Sequence, residues 1–242
     1  MRKLLFLIVL MPLFIISQND DSFLLTLSEV TVKQGHNAQF IAGVKAWKEC
    51  YLKNEGKDKW NMWKRLQGEG NVYVITGRMA NWAEMDEDGD EAGKACRMAV
   101  INLIMPHVKS FHYNIARFMP DVSRKAPFSE DTGLVWVYNV KIKNSTTFME
   151  CVKEIAAAVK NAEKDNRGYW YAVVGGAPEV ADYFISVPFD NFAGLDVEQD
   201  GVWKVYEKAN GKEKTEALRN KFRASLSKDW SYIYTLQKKL SN

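Results

Sequence analysis

Few side chains in this sequence are of types that do chemistry. There are three histidines, His36, His107 and His112, and three cysteines, Cys50, Cys96 and Cys151. An Asn–aromatic step occurs twice, as Asn81-Trp82 and Asn191-Phe192. No P-loop, GxSxG or His/Asp/Glu metal-ligand spacing is present, so phosphoryl transfer, serine acyl transfer and a resident metal have no signature. What these residues favour is a small apolar or aromatic ligand, held in an apolar pocket with a few converging polar groups. Trp136, Tyr138, Asn139, His112, Asn114 and Tyr232 are of the right types. Alternation along a strand puts Trp136 and Tyr138 on one face and Asn139 on the other, so they do not all line one cavity. Asn81-Trp82 and Asn191-Phe192 read as a helix cap plus a packing aromatic. In a functional reading the two aromatics stand at symmetry-related mouths of a central cavity.

The remaining candidates have plainer readings. An odd, small number of cysteines without a CxxC gives no disulfide framework, and all three fall in segments read as helices. They are expected as buried free thiols. Asp86-Glu87-Asp88-Gly89-Asp90 lacks the closing Glu of a calcium loop and reads as a solvated acidic loop before a helix N-terminus. Asn144-Ser145-Thr146 fits a glycosylation sequon.

The elements that must position these residues are legible from periodicity. Phe23–Lys33 reads as a strand, followed by a helix over 37–53 with Phe40, Val44, Trp47 and Tyr51 on one face. Trp60–Leu66 and Asn71–Arg78 form a hairpin around Gln67-Gly68-Glu69-Gly70. Asn81 with Glu84 resembles a capping box. A helix over about 91–105, ended by Pro106, precedes a strand over Lys109–Met119. Pro120–Thr132 reads as a linker, and the pattern restarts. Leu134–Lys143 is a strand, Thr147 and Glu150 open a helix carrying Phe148, Val152, Ile155 and Val159, and Tyr169–Val174 and Val180–Val187 form a second hairpin. A helix over about 213–227 leads to a last strand, Asp229–Leu236.

The restart is a duplication. Trp60–Asp86 aligns without a gap to Trp170–Asp196, with seven of 27 positions identical, among them Trp60/Trp170, Tyr73/Tyr183, Ile75/Ile185 and Asn81/Asn191. The expected organisation is a signal peptide over 1–17, a first unit over 18–120, a linker over 121–132 and a second unit over 133–242. The second unit has an insertion at about 197–212, carrying Trp203 and Tyr206, which is read as a lid.

Composition sets further limits. Hydrophobic content of 47% and charged content of 26% are those of a globular protein. Arg2 and Lys3 before the apolar run Leu4–Ile16, with Ser17 at the expected cut, have the layout of a secretory signal peptide. The run is too short for a membrane span of about 20 residues. The reading is therefore an exported protein, periplasmic or extracellular, with no stable span after cleavage. Removing Arg2 and Lys3 lowers the formal charge from +3 to +1. Without a basic stripe, nucleic acid is not expected as a partner.

Each unit thus follows the order βαββαβ, the ferredoxin-like pattern. The fold class is α+β: two ferredoxin-like units packed sheet to sheet as an intramolecular dimeric α/β barrel. On element order and internal repeat, 23–238 resembles the dimeric α/β-barrel superfamily in tandem single-chain form. That superfamily includes cofactor-independent monooxygenases, haem enzymes of the chlorite dismutase and dye-decolourising peroxidase kinds, and stress-responsive proteins. Fold alone does not select among these. The haem enzymes place an axial ligand in the C-terminal unit, whereas the second unit here has no His, and only His112 is positioned to point into a cavity. The expectation is no cofactor and a small molecule bound between the halves. One alternative is a cofactor-independent monooxygenase-like or isomerase-like enzyme. The other is a structural or protein-interaction module with a solid interface. Monomer and dimer are both compatible with the duplication.

Overall fold

The computed structural model describes residues 22–242. The segment read as a signal peptide, 1–17, lies outside the described residues. The first half contains β1 (Leu24–Val32), α1 (Asn37–Lys53), β2 (Trp60–Arg65) and β3 (Asn71–Met79), then α2 (Glu91–Ala95), α3 (Arg97–Ala99) and β4 (Val108–Phe118). The second contains β5 (Leu134–Ile142), α4 (Ser145–Glu163), β6 (Tyr169–Val173), β7 (Tyr183–Phe189), α5 (Val202–Asn210), α6 (Lys212–Ser225) and β8 (Leu226–Leu236).

All eight strands close into one antiparallel barrel in the order β1-β3-β2-β8-β5-β7-β6-β4. The two four-stranded arrays are therefore joined at their edges rather than stacked as separate sheets. Each seam is short: Trp63–Arg65 pairs with Tyr234–Leu236, and Ala116–Phe118 with Tyr171–Val173. Helices cover the outside. Val30, Val32, Met62 and Tyr73 face outward and form one core with Phe40 and Val44 of α1. Val140 faces outward to Phe148 and Val152 of α4. The alternate residues of each strand must therefore face the lumen.

The second helix of the first half departs from the expected single helix over 91–105. It breaks at Cys96, resumes as α3, and passes through a π-helical turn (Val100–Ile104) and a 3₁₀ turn (Met105–His107). Two constraints account for this. Cys96 is not free but is disulfide-bonded to Cys50 of α1, and Pro106 has no amide to continue the ladder. The backbone of α1 also lies hard against this segment, since a Cβ on Gly43 would sit 2.0 Å from the Leu103 carbonyl oxygen. The expectation of three free thiols is thus corrected; Cys151 alone is free and buried. Spacing gave no sign of the bridge because its two ends are 46 residues apart, on different elements.

Two local readings also change. The cap of α4 is Asn144, whose side chain accepts from the Thr147 amide at 2.9 Å, rather than a Thr147–Glu150 box. The 197–212 insertion is not at a barrel mouth: α5 lies in the outer layer, where Tyr206 and Trp203 pack with Cys151, Ala158 and Leu218 of α4 and α6. No helix among the described residues is long and apolar enough to cross a membrane.

Closing a loop of this length by a disulfide stabilises a fold by roughly 2–4 kcal/mol. Replacing Cys50 and Cys96 together by Ser should lower Tm by about 4–16 °C in a scanning fluorimetry melt. A thiol assay of the unreduced, unfolded protein should find only Cys151 reactive; reactivity at all three cysteines would contradict the bridge.

Candidate functional site

The lumen has two unlike ends. At the end where β1, β2, β5 and β6 begin, the space is closed by aromatic and chain packing. Phe23 stacks on Phe118 at 4.8 Å and lies under the Arg78 guanidinium at 3.9 Å. Phe128 of the linker stacks on Tyr169 at 4.4 Å, and the Tyr169 hydroxyl donates to the Ala126 carbonyl. The segment 121–132 is therefore a fixed plug. Asp165 holds it by accepting from the Lys125 and Ala126 amides. Burial opposes the ionised carboxylate, but those amides and that of Asn166 more than offset it and keep its pKa low.

The middle of the lumen is an aromatic floor of Trp63, Tyr171, Phe184 and Tyr234, all buried. Tyr171 and Phe184 stack at 4.8 Å. Beyond this floor, towards the ends of β1 and β5, the inward-facing residues turn polar. Register places Glu29 opposite His112, Leu27 opposite Asn114, and Asn139 opposite Trp230. Arg65 lies over the Tyr232 ring at 4.6 Å and donates to the Glu69 carbonyl at 2.5 Å. Its Nε is buried without a partner among the described residues. The hairpin turn leans on this pair: a Cβ on Gly68 would be 3.3 Å from Arg65 Nη2 and 3.4 Å from the Tyr232 ring. Leu27, Val137 and Asn139 face inward but are only half-buried, so the upper lumen is less filled than the floor.

Electrostatics mark the boundary between floor and mouth. The Tyr234 hydroxyl is pushed far above the usual tyrosine range, first by burial and then by the Glu29 carboxylate, with Arg65 pulling the other way. Burial does the same to Tyr171. Both phenols are therefore fixed as neutral groups at the base of a mouth that carries Glu29, Arg65 and His112.

The residues singled out from sequence fall in three places. His112 and Asn114 face the upper lumen. Trp136 and Tyr138 are on the opposite, outward face of β5, stacked on each other at 5.1 Å, as alternation requires. Asn81 and Asn191 sit on the outside at the closed end, where Asn81 Oδ1 accepts from the Ala83 amide and Asn191 Oδ1 from the Gly194 amide. Beside them Trp82 and Phe192 are exposed. Asn191 also borders a surface cavity of about 350 Å³ with Arg124, Ser129, Thr132 and Phe189. Sequence reading missed Glu29, Arg65, Trp63 and Tyr234. Their inward direction follows from alternation once Val30, Met62 and Ile233 are known to face outward, but that needs the barrel to be closed.

No protein-family model and no curated protein matches the chain. Solved structures share its fold. A candidate monooxygenase from Lactobacillus acidophilus NCFM is 8% identical, with 89% of this chain and 94% of that chain covered at a TM-score of 0.53. An anthrone oxidase-like protein is 11% identical, with 90% and 92% covered and a TM-score of 0.53. A chlorite dismutase mutant from Candidatus Nitrospira defluvii is 10% identical, with 89% and 94% covered and a TM-score of 0.52. The fold is accordingly that of the dimeric α/β barrels.

The chlorite dismutase corrects one expectation. It is of the haem-enzyme kind named in the superfamily resemblance, so this barrel gives no ground for expecting a chain without a cofactor. The side chains themselves do not build a haem pocket where the second half's helices meet its strands. That layer is filled by Phe148, Cys151 and Val152, all buried, and the second half has no His. His36 and His107 are bonded to each other through Nδ1 at 2.9 Å.

The raised tyrosines give a pH dependence with a definite sign. A phenol whose folded pKa exceeds its unfolded value of about 10 contributes stability that is complete below that pH and is lost as pH rises towards the folded value. Denaturant melts should therefore show stability falling above about pH 10. In an ultraviolet titration Tyr171 and Tyr234 should ionise only as the barrel opens. Ionisation of all 10 tyrosines in one reversible step with the fold intact would contradict their burial.

Proposed function

We propose that the chain is an exported tandem of two ferredoxin-like units that binds a small aromatic or apolar molecule with a polar or anionic group in the upper lumen. The observation that carries this reading is the convergence of Glu29, Arg65, His112, Asn114, Asn139 and Tyr232 on one end of a lumen floored by Trp63, Tyr171, Phe184 and Tyr234. A core built only for stability has no use for a half-buried carboxylate and guanidinium facing inward, because each costs desolvation; His112, exposed at the rim, adds an imidazole beside them. The floor suits an aromatic ring, and Arg65 supplies a fixed cation for its polar end. Export is supported by the Cys50–Cys96 disulfide, a bond that persists in oxidising compartments, together with the layout of residues 1–17.

A second reading makes the same lumen catalytic. Glu29 and His112, opposite each other on neighbouring strands, are side chains that move protons in general acid–base chemistry. The fold neighbours described as a monooxygenase and as anthrone oxidase-like are compatible with it.

Anilinonaphthalene sulfonate, an aromatic anion, is a direct probe. It should bind once per chain and fluoresce. Arg65→Met, which keeps the stem over Tyr232 and removes the charge, should weaken binding about tenfold, the equivalent of roughly 1.4 kcal/mol. Asn139→Phe should block it by filling the mouth, while Phe192→Ala at the closed end should leave it unchanged. Binding that survives both lumen changes, with circular dichroism showing a native fold, would defeat this reading.

A further inference from the structure

We infer that β4 is the interface through which two copies of this chain pair, edge to edge about a two-fold axis. The seam with β6 covers only Ala116–Phe118, extended by one bond at each end, from the Val174 amide to the Ile115 carbonyl and from the Met119 amide to the Trp170 carbonyl. Among the described residues, Val108–Asn114 have no strand on that side. Those backbone groups form an open edge, which natural proteins normally blunt with charge, proline or a covering element.

The duplication supplies an internal control. β8 occupies the same place in the second half, and register matches the two strands residue for residue. Phe111 lies opposite Val30 as Asp229 lies opposite Val140, and Tyr113 lies opposite Ser28 as Ser231 lies opposite Tyr138. The second half thus protects its edge with Asp229 and Ser231. The first half presents Phe111 at 52% exposure and Tyr113 at 46%. The adjoining surface follows the same contrast. The irregular segment before β4 exposes Met98, Ile101 and Met105, and Met85 Sδ lies 4.0 Å from the Tyr113 hydroxyl. The corresponding helix α6 exposes Glu213, Glu216, Lys221 and Arg223 instead.

Six large apolar side chains, each about half exposed, amount to on the order of 500–600 Å². That is the upper end of what a monomer carries, about 300–600 Å², and most of the roughly 800 Å² that each partner brings to a stable interface. An open edge calls for a strand rather than a lipid surface, and the near-neutral charge of the chain gives no attraction to anionic lipid. A second copy is the occupant that fits, because an antiparallel strand pair is itself two-fold symmetric. Centring the axis on Phe111 sets Lys109 against Tyr113 and avoids opposing like charges.

Sedimentation velocity on the mature chain is the test. The expected result is a dimer at micromolar concentration, with the 108–114 amides protected in hydrogen exchange. Phe111→Asp, and separately Tyr113→Lys, should each give a monomer with unchanged circular dichroism. Ser231→Lys, at the matching position of the second half, should leave the dimer intact. A monomer over the whole concentration range, a dimer indifferent to both β4 changes, or capture of the patch by anionic phospholipid vesicles in place of self-association would overturn the inference.

Discussion

Closure of the barrel is the constraint on which the rest depends. Two four-stranded arrays, each with two open edges, are joined by seams of three residues apiece. Once they close, every strand has one face to the helices and one to the lumen, and no side chain can choose otherwise without shifting register by a residue. The outward core around Tyr73 and Phe40 and the inward floor around Tyr171 and Tyr234 are two consequences of the same alternation. The seams are short because the strands are staggered. The same stagger leaves the upper part of β4 without a strand on its β6 side, and leaves the upper lumen less filled than the base, where the linker packs.

Much of this was legible in the chain. The 3.6-residue stripe of α1 and the two-residue alternation of β1 and β5 appear at the positions where the structure has them, because those segments bury one face against a partner of ordinary geometry. The segment 97–107 was not legible, because its course is set by a tether at Cys96 and by close contact with Gly43, neither of which leaves a periodic mark. The site was legible only in part. His112 and Asn114 were recognised as residues able to face a cavity. Glu29 and Arg65 lie in strands whose sequence does not say which face is the inner one, and Trp136 and Tyr138 attracted notice by type although alternation already separated them from Asn139.

The linker shows how a segment can be read correctly and still mislead. Pro120–Thr132 has the composition of a loop and contains no regular element. Yet Ser123 is buried, accepts from the Trp170 amide at 2.8 Å and donates to the Met119 carbonyl at 2.7 Å. Composition reports the lack of a repeating hydrogen-bond pattern; it does not report whether the chain is held by individual bonds. Here the bonds are individual, and they turn a connector into the closed end of the lumen.

The sequence repeat has a physical counterpart in which faces of the strands it keeps alike. Residues identical in the two repeats include Trp60/Trp170, Tyr73/Tyr183 and Ile75/Ile185, all on the outward face beneath the helices. The lumen-facing pairs have diverged: Glu29 stands where the second half has Asn139, Arg65 where it has Gly175, His112 where it has Trp230, and Asn114 where it has Tyr232. A barrel made from two identical chains would place two copies of each group around the axis. Two like-charged carboxylates would then face each other and repel. A single chain escapes that symmetry. It can keep the outward scaffold twice while placing a single carboxylate, guanidinium and imidazole at one end of the barrel, an asymmetry that two identical chains could not build.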